Sequence, residues 1–163
     1  MAFQLSKQGQ EFVKKELKRY EDPHSAIIPS LYRVQQENGG WVSDEAVAHL
    51  SQLMDLPEAS IYEVFKFYTM FNQKPVGKLH IQVCTNISCS MNGGRELAQA
   101  LCKAYNTRMG DVSPDGKVTI TQVECLGSCD TAPMLQVNDR YLEKLTPESA
   151  LEQLKKLERE YGN

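Results

Sequence analysis

Cys84-Thr-Asn-Ile-Ser-Cys89 and, thirty-five residues further on, Cys125-Leu-Gly-Ser-Cys129 place four of the chain's five cysteines in two close pairs. The residues around these pairs decide what they are. Before the first pair, Leu79, Ile81 and Val83 alternate with His80 and Gln82, the period of a strand. After it, Gly93-Gly94 opens a helix with Leu97, Leu101 and Tyr105 on one face. Residues 111–117 read as a loop turning at Asp115-Gly116. Val118 and Ile120 begin a second strand that reaches Val123, just ahead of the second pair.

Beyond that pair, residues 134–137 form a third strand, Asn138-Asp139 a hairpin turn, and Arg140-Tyr141-Leu142 a fourth strand. Thr146-Pro147 starts a last helix with Leu151, Leu154, Leu157 and Tyr161 along its stripe. A strand–helix–strand unit of this length favours parallel strands with a right-handed crossover. The closing hairpin adds antiparallel strands. The expectation is a small thioredoxin-like α/β domain over 75–163. If the first two strands are parallel neighbours, Cys84 and Cys125 leave the sheet at the same edge, Cys89 and Cys129 lie in the loops beyond, and four thiols converge.

Four converging thiols admit several chemistries. A [2Fe–2S] cluster takes two thiolates on each iron. Structural zinc takes four around one ion, usually from pairs two to four residues apart on tight knuckles. Cys-x4-Cys with Cys-x3-Cys is loose for a knuckle, and neither pair is the Cys-x-x-Cys of a dithiol site. The spacing favours iron–sulfur over zinc, and either over disulfides in a reducing compartment. Gly127 and the small Ser88, Ser90 and Ser128 would let backbone N–H groups approach the sulfurs. Cys102 sits mid-helix, remote from both pairs, and reads as a small core residue. A His80 ligand in a Rieske-like set is conceivable but superfluous beside four cysteines. His24 and His49 read as surface or packing residues.

The first half reads as helices. Ser6 caps one, with Val13, Leu17 and Tyr20 on a stripe. A second starts near Ser25, carries Ile28, Leu31 and Val34, tolerates Pro29 in its first turn, and stops at Gly39-Gly40. Ser43 caps a third with Val47, Leu50 and Met54 inside. Pro57 opens a fourth, where Ile61, Val64, Phe65 and Tyr68 share a face. The expectation is an N-terminal helical bundle over 1–74, spanning residues 4–71, with residues 72–77 as linker. The fourth helix is unusually aromatic. One face is expected to pack inside, as is each ring taken singly. The remaining rings, Phe67 among them, leave apolar surface to be covered by the second domain or by a partner, and the surface around Phe67 and Phe71 suggests obligate association.

Composition excludes other classes. A net charge of -3, with 41% hydrophobic and 24% charged residues, describes an ordinary globular chain without the basic face of a nucleic-acid binder. No apolar run approaches a membrane span. Met1-Ala-Phe-Gln-Leu-Ser has neither a signal peptide's apolar core nor a transit peptide's pattern, which points to the cytosol. Gly93-Gly94 is not a nucleotide-binding fingerprint, and no Walker loop is present, so no substrate site is expected in the chain itself.

The segment from Val123-Glu-Cys125 through Leu-Gly-Ser-Cys129-Asp-Thr-Ala-Pro-Met-Leu-Gln-Val-Asn-Asp139, with Cys84-x4-Cys89, closely resembles the thioredoxin-like [2Fe–2S] subunits of bacterial NADH:quinone oxidoreductase (complex I). Ala26-Ile-Ile-Pro29, Gly40-Trp41, and the run from Tyr62 to Gly77 extend the resemblance over nearly the whole chain. Related subunits of NAD-linked hydrogenases and formate dehydrogenases share the cysteine pattern. The resemblance implies one [2Fe–2S] cluster, with Cys84 and Cys89 on one iron and Cys125 and Cys129 on the other. It implies a flavoprotein partner that binds FMN and NADH, further peripheral-arm subunits, and a cytoplasmic place on the inner membrane face through the complex. Glu124 and Asp130 would lower the cluster's potential, or serve simply as solvated charges. A zinc-stabilised interaction module without redox role is the competing class.

Overall fold

The computed structural model describes residues 3–161. The chain divides into two compact units, Met1–Pro75 and Val76–Asn163.

The first unit holds α1 (Lys7–Leu17), α2 (Ile27–Glu37), α3 (Asp44–Met54) and α4 (Glu58–Phe67), with a 3-10 turn at Pro23–Ala26 leading into α2. Ser6 and Ser43 cap α1 and α3, their hydroxyls accepting from the N–H groups of Gly9 and Ala46. Asp22 caps the 3-10 turn through the His24 N–H. Pro29 is the third residue of α2, where its missing N–H costs little. Val13, Ile27, Leu31, Val34, Val47, Leu50, Ile61 and Phe65 close one apolar core.

The aromatic end of α4 departs from expectation. The helix stops at Phe67, and Tyr68 turns extended and exposed rather than continuing the stripe. The cause is Phe71. On a continued helix it would stand about 80° from Ile61, off the buried face. The turn from Tyr68 to Phe71 instead seats it in the core, 2% exposed and edge-on to Tyr32. Phe67 is 76% exposed, as expected of a ring left over from the buried face though not of each ring taken singly, and stacks edge-on to Tyr68. Phe71 therefore contributes nothing to the outer aromatic surface.

Ser30, in the middle of α2, is fully buried, and its Oγ finds no hydrogen-bond partner among the described residues. An unsatisfied buried hydroxyl is a cost, and alanine is the better helix former. Ser30→Ala is expected to raise stability by about 1 kcal/mol in chemical denaturation; a loss of that size would show that the hydroxyl is satisfied in solution.

The second unit runs β1 (Leu79–Cys84), α5 (Ile87–Met91), α6 (Gly94–Ala104), β2 (Val118–Val123), β3 (Leu135–Val137), β4 (Arg140–Leu142) and α7 (Pro147–Tyr161). The sheet order is β2-β1-β3-β4. β1 and β2 are parallel, and the β3–β4 hairpin is antiparallel to β1 and within itself. Leu97, Ala98 and Leu101 of α6 and Ala150, Leu154 and Leu157 of α7 pack with Leu79, Ile81, Val83, Val118 and Ile120 of the sheet into its core. Asn138 takes the left-handed conformation that the tight hairpin requires.

Candidate metal centre

The register of the sheet sets the site. Leu79 lies opposite Val118 and Cys84 opposite Val123, so both parallel strands end together, and Cys125 follows two residues beyond. The Thr85 N–H donates to Val123 O (3.0 Å) and carries the ladder one step past Cys84. On the other side of β1, the Cys84 N–H donates to Met134 O (3.2 Å), just before β3 begins. Cys84 thus ends the central strand, with the exit of β2 on one flank and the entry of β3 on the other.

Cys89 comes back to Cys84 through α5, a five-residue helix capped by Asn86, whose Oδ1 accepts from the Ile87 N–H at 2.7 Å. Ser90 Oγ donates to Thr85 O (2.7 Å) and closes the loop. Cys84 and Cys89 are 4% and 2% exposed and share a small apolar cluster with Met134, against which Leu126 and Ala132 pack. Burial pushes the Cys89 thiol up to about 11; its hydrogen bond with Cys84 adds to this, and the Met134 N–H acts in the opposite sense. Cys84 Sγ donates to Glu124 O at 3.6 Å. Gly94, the first residue of α6, lies so close that a Cβ there would stand 2.7 Å from Cys84 O and 2.8 Å from Cys89 O.

The second pair is exposed. Gly127 is left-handed, and its N–H donates to Cys125 Sγ at 3.4 Å. Cys129 begins a 3-10 turn, and the hydrogen bond and charge of Cys125 raise its thiol. Ser88 Oγ, beside Cys89, donates to Cys129 O (2.9 Å) and stitches the two loops together. Cys84 also acts electrostatically on Cys129. The thiols thus stand as two pairs, Cys84 with Cys89 and Cys125 with Cys129. Among the described residues, no group of three or more His, Cys, Asp or Glu is placed to hold a single metal ion. A [2Fe–2S] cluster takes two thiolates on each iron, and two thiol pairs supply that donor set.

The family model of the thioredoxin-like [2Fe-2S] ferredoxin matches residues 13–158. The chain belongs to the thioredoxin-like [2Fe-2S] ferredoxin family. A subunit of the NADH-quinone oxidoreductase of Rickettsia bellii is 39% identical over 148 residues, 90% of this chain and 89% of that relative. The mitochondrial NADH dehydrogenase [ubiquinone] flavoprotein 2 of Dictyostelium discoideum is 37% identical over 91% of this chain and 61% of its own length. Among solved structures, an NAD+-reducing [NiFe]-hydrogenase in the air-oxidized state superposes with a TM-score of 0.67 at 22% identity. That match covers 80% of this chain but only 23% of the hydrogenase chain, and it speaks for the fold.

The remaining candidates in this [2Fe-2S] ferredoxin lie elsewhere. Cys102 is half-buried on α6 beside the sheet core, and burial raises its thiol. Glu124 and Asp130 are exposed. His24 pairs with Asp22 at 2.7 Å, and His49 accepts from the Leu5 N–H. Sequence reasoning missed α5, whose five residues are too few to show a period, and the close approach at Gly94.

His80 is buried, against the outward face that strand alternation implies, and its Nε2 meets Thr121 Oγ1 at 2.9 Å. Burial lowers its ring to about 4. Between that value and the ordinary value near 6.5, the unfolded chain binds a proton that the folded chain refuses, so stability falls as pH drops through this window. From pH 7 to 4.5, the wild type is expected to lose about 2 kcal/mol more than His80→Gln in chemical denaturation. Parallel losses in the two proteins would show that the buried ring charges freely.

Proposed function

We propose that this chain is an electron-transfer subunit of an NADH:quinone oxidoreductase and binds one [2Fe–2S] cluster through Cys84, Cys89, Cys125 and Cys129. The observation that carries the reading is the delivery of two separate thiol pairs to one sheet edge by the parallel strands β1 and β2. In this reading the buried pair holds one iron and the exposed pair the other. Residues 75–163 form the cluster domain and 1–74 the helical domain. When bound, the cluster accepts and returns one electron at a time.

The residues have distinct tasks. Cys84, Cys89 and Met134 shield one side of the centre from water. The Gly127 N–H donates to Cys125 Sγ, and the backbone N–H of Met134 acts to lower the Cys89 thiol, both favouring thiolate charge. The exposed second pair leaves the other side open to a partner. That partner is a flavoprotein subunit carrying FMN and NADH, within a peripheral arm that keeps this chain on the cytoplasmic face of the membrane. Among the described residues, no helix is long and apolar enough to cross a membrane. The relatives favour the respiratory complex over the corresponding hydrogenase component, since the Rickettsia oxidoreductase subunits align along most of both chains.

The test is anaerobic purification of the full chain, with iron and sulfide assays, visible absorption, and EPR after reduction. Two irons and two sulfides per chain with a reduced-state signal are expected. A colourless protein holding one zinc removes the reading. Tagged chain drawn from cells should bring a flavoprotein and a membrane arm; hydrogenase components without a membrane arm would move the assignment to that enzyme.

A further inference from the structure

The second thiol pair sits where little is buried. Cys125 and Cys129 are exposed, and the 3-10 turn from Cys129 to Thr131 buries no residue. Gly127 gives this loop more freedom to lose than any other residue type would. Leu126 packs against the Cys84, Cys89 and Met134 cluster, but from Gly127 to Thr131 the loop buries no side chain, so polar ties must hold that part. Ser88 supplies one, to Cys129 O. Two others come from the end of β4. Tyr141 donates its hydroxyl to Leu126 O at 2.9 Å. Glu143 accepts at Oε1 from the hydroxyls of Ser128 and Thr131, the latter at 2.9 Å. The Lys144 N–H donates to Thr131 O (2.8 Å), so the residue after Glu143 is fixed to the same turn. The ties at Leu126 and Ser128 bracket Gly127, whose N–H meets Cys125 Sγ.

We infer that Glu143 and Tyr141 are positioning residues that hold the 125–131 loop in its cluster-binding shape. Neither touches a cysteine sulfur; both act through the loop backbone and its hydroxyls. Because both hydroxyls meet the same carboxylate oxygen, a glutamine at 143 keeps the acceptor and loses only the charge. Positioning and charge therefore separate experimentally.

The experiment uses full-length Glu143→Ala, Glu143→Gln and Tyr141→Phe chains, with circular dichroism confirming the fold of each. In the cluster-free chain, amide hydrogen exchange over 126–131 is expected to quicken about tenfold in Glu143→Ala and Tyr141→Phe, the scale of one lost hydrogen bond to a strong acceptor. Glu143→Gln should stay close to wild type. In the loaded chain, iron release to a chelator should be about tenfold faster in the first two variants and unchanged in Glu143→Gln. The midpoint potential of Glu143→Gln should rise, because a negative charge has left the neighbourhood. Wild-type exchange and iron release in Glu143→Ala overturn the inference. So does a Glu143→Gln chain as damaged as Glu143→Ala, which would make charge the whole effect. The loaded measurements rest on the cluster proposed above: a wild type that takes up no iron and sulfide defeats that proposal, while the cluster-free exchange comparison still decides this one.

Discussion

Cys84→Ala and Cys125→Ala are each expected to abolish the iron–sulfur absorption, with bound iron falling from two per chain to a small residue. Each substitution leaves one iron with a single thiolate, and alanine offers no replacement donor as serine would. The two variants should differ in everything else. Cys84 is buried beside Cys89 and Met134, so alanine there leaves a small void, costing the cluster-free chain about 1 kcal/mol. Cys125 is exposed, and its loss should leave the cluster-free chain within about 0.5 kcal/mol of wild type. Cys102→Ala should keep the full cluster, since Cys102 lies on α6 against the sheet core. Iron and sulfide assays with denaturation of the unloaded chains measure all three. A Cys125→Ala chain that retains two irons, or a Cys102→Ala chain that loses them, would break the ligand assignment.

The asymmetry behind that prediction was only partly legible in the sequence. The length between Cys84 and Cys125, filled by one amphipathic helix and a loop, implied parallel strands and so a common edge; the register bears this out. Spacing carried no sign that one pair is buried and the other exposed. Cys84 ends the central strand and shares with Cys89 an apolar cluster around Met134, just ahead of β3, whereas Cys125 and Cys129 lie in an exposed loop. The ties from Glu143 and Tyr141 were equally hidden, because a side-chain hydrogen bond across 12 or 15 residues leaves no periodic trace. His80 shows the limit of alternation. It stands on the sheet face opposite Ile81, yet β1 is a central strand and Thr121 of β2 takes up its ring nitrogen. Phe71 shows the limit of helical periodicity, since a turn carried it to the core from a position the helix itself would not have buried.

Gly94→Ala is the substitution at which fold and site should fail together. The φ at Gly94 is one that any residue adopts, so the left-handed strain of Gly93 is absent there. The obstacle is space. A Cβ at 94 would stand 2.7 Å from Cys84 O, 2.8 Å from Cys89 O and 3.0 Å from Cys89 C, all backbone atoms of the segments that carry the buried thiols. No flexible side chain can yield. Either the start of α6 moves off the sheet edge, exposing part of the packing of Leu97 and Ala98, or α5 and the end of β1 shift and carry Cys84 and Cys89 with them. The expected cost is about 3 kcal/mol in the cluster-free chain, at the upper end for overpacking. Iron retention should fall too, because sulfur positions must hold to a fraction of an ångström. Gly93→Ala is the control. Its Cβ would meet nothing nearer than Glu96 Oε2 at 4.0 Å, so it carries only the left-handed penalty of about 1–2 kcal/mol and should bind iron as wild type does. Equal stability losses in the two variants, with equal iron content, would show that α6 approaches the thiol-bearing backbone less closely than 2.7 Å implies.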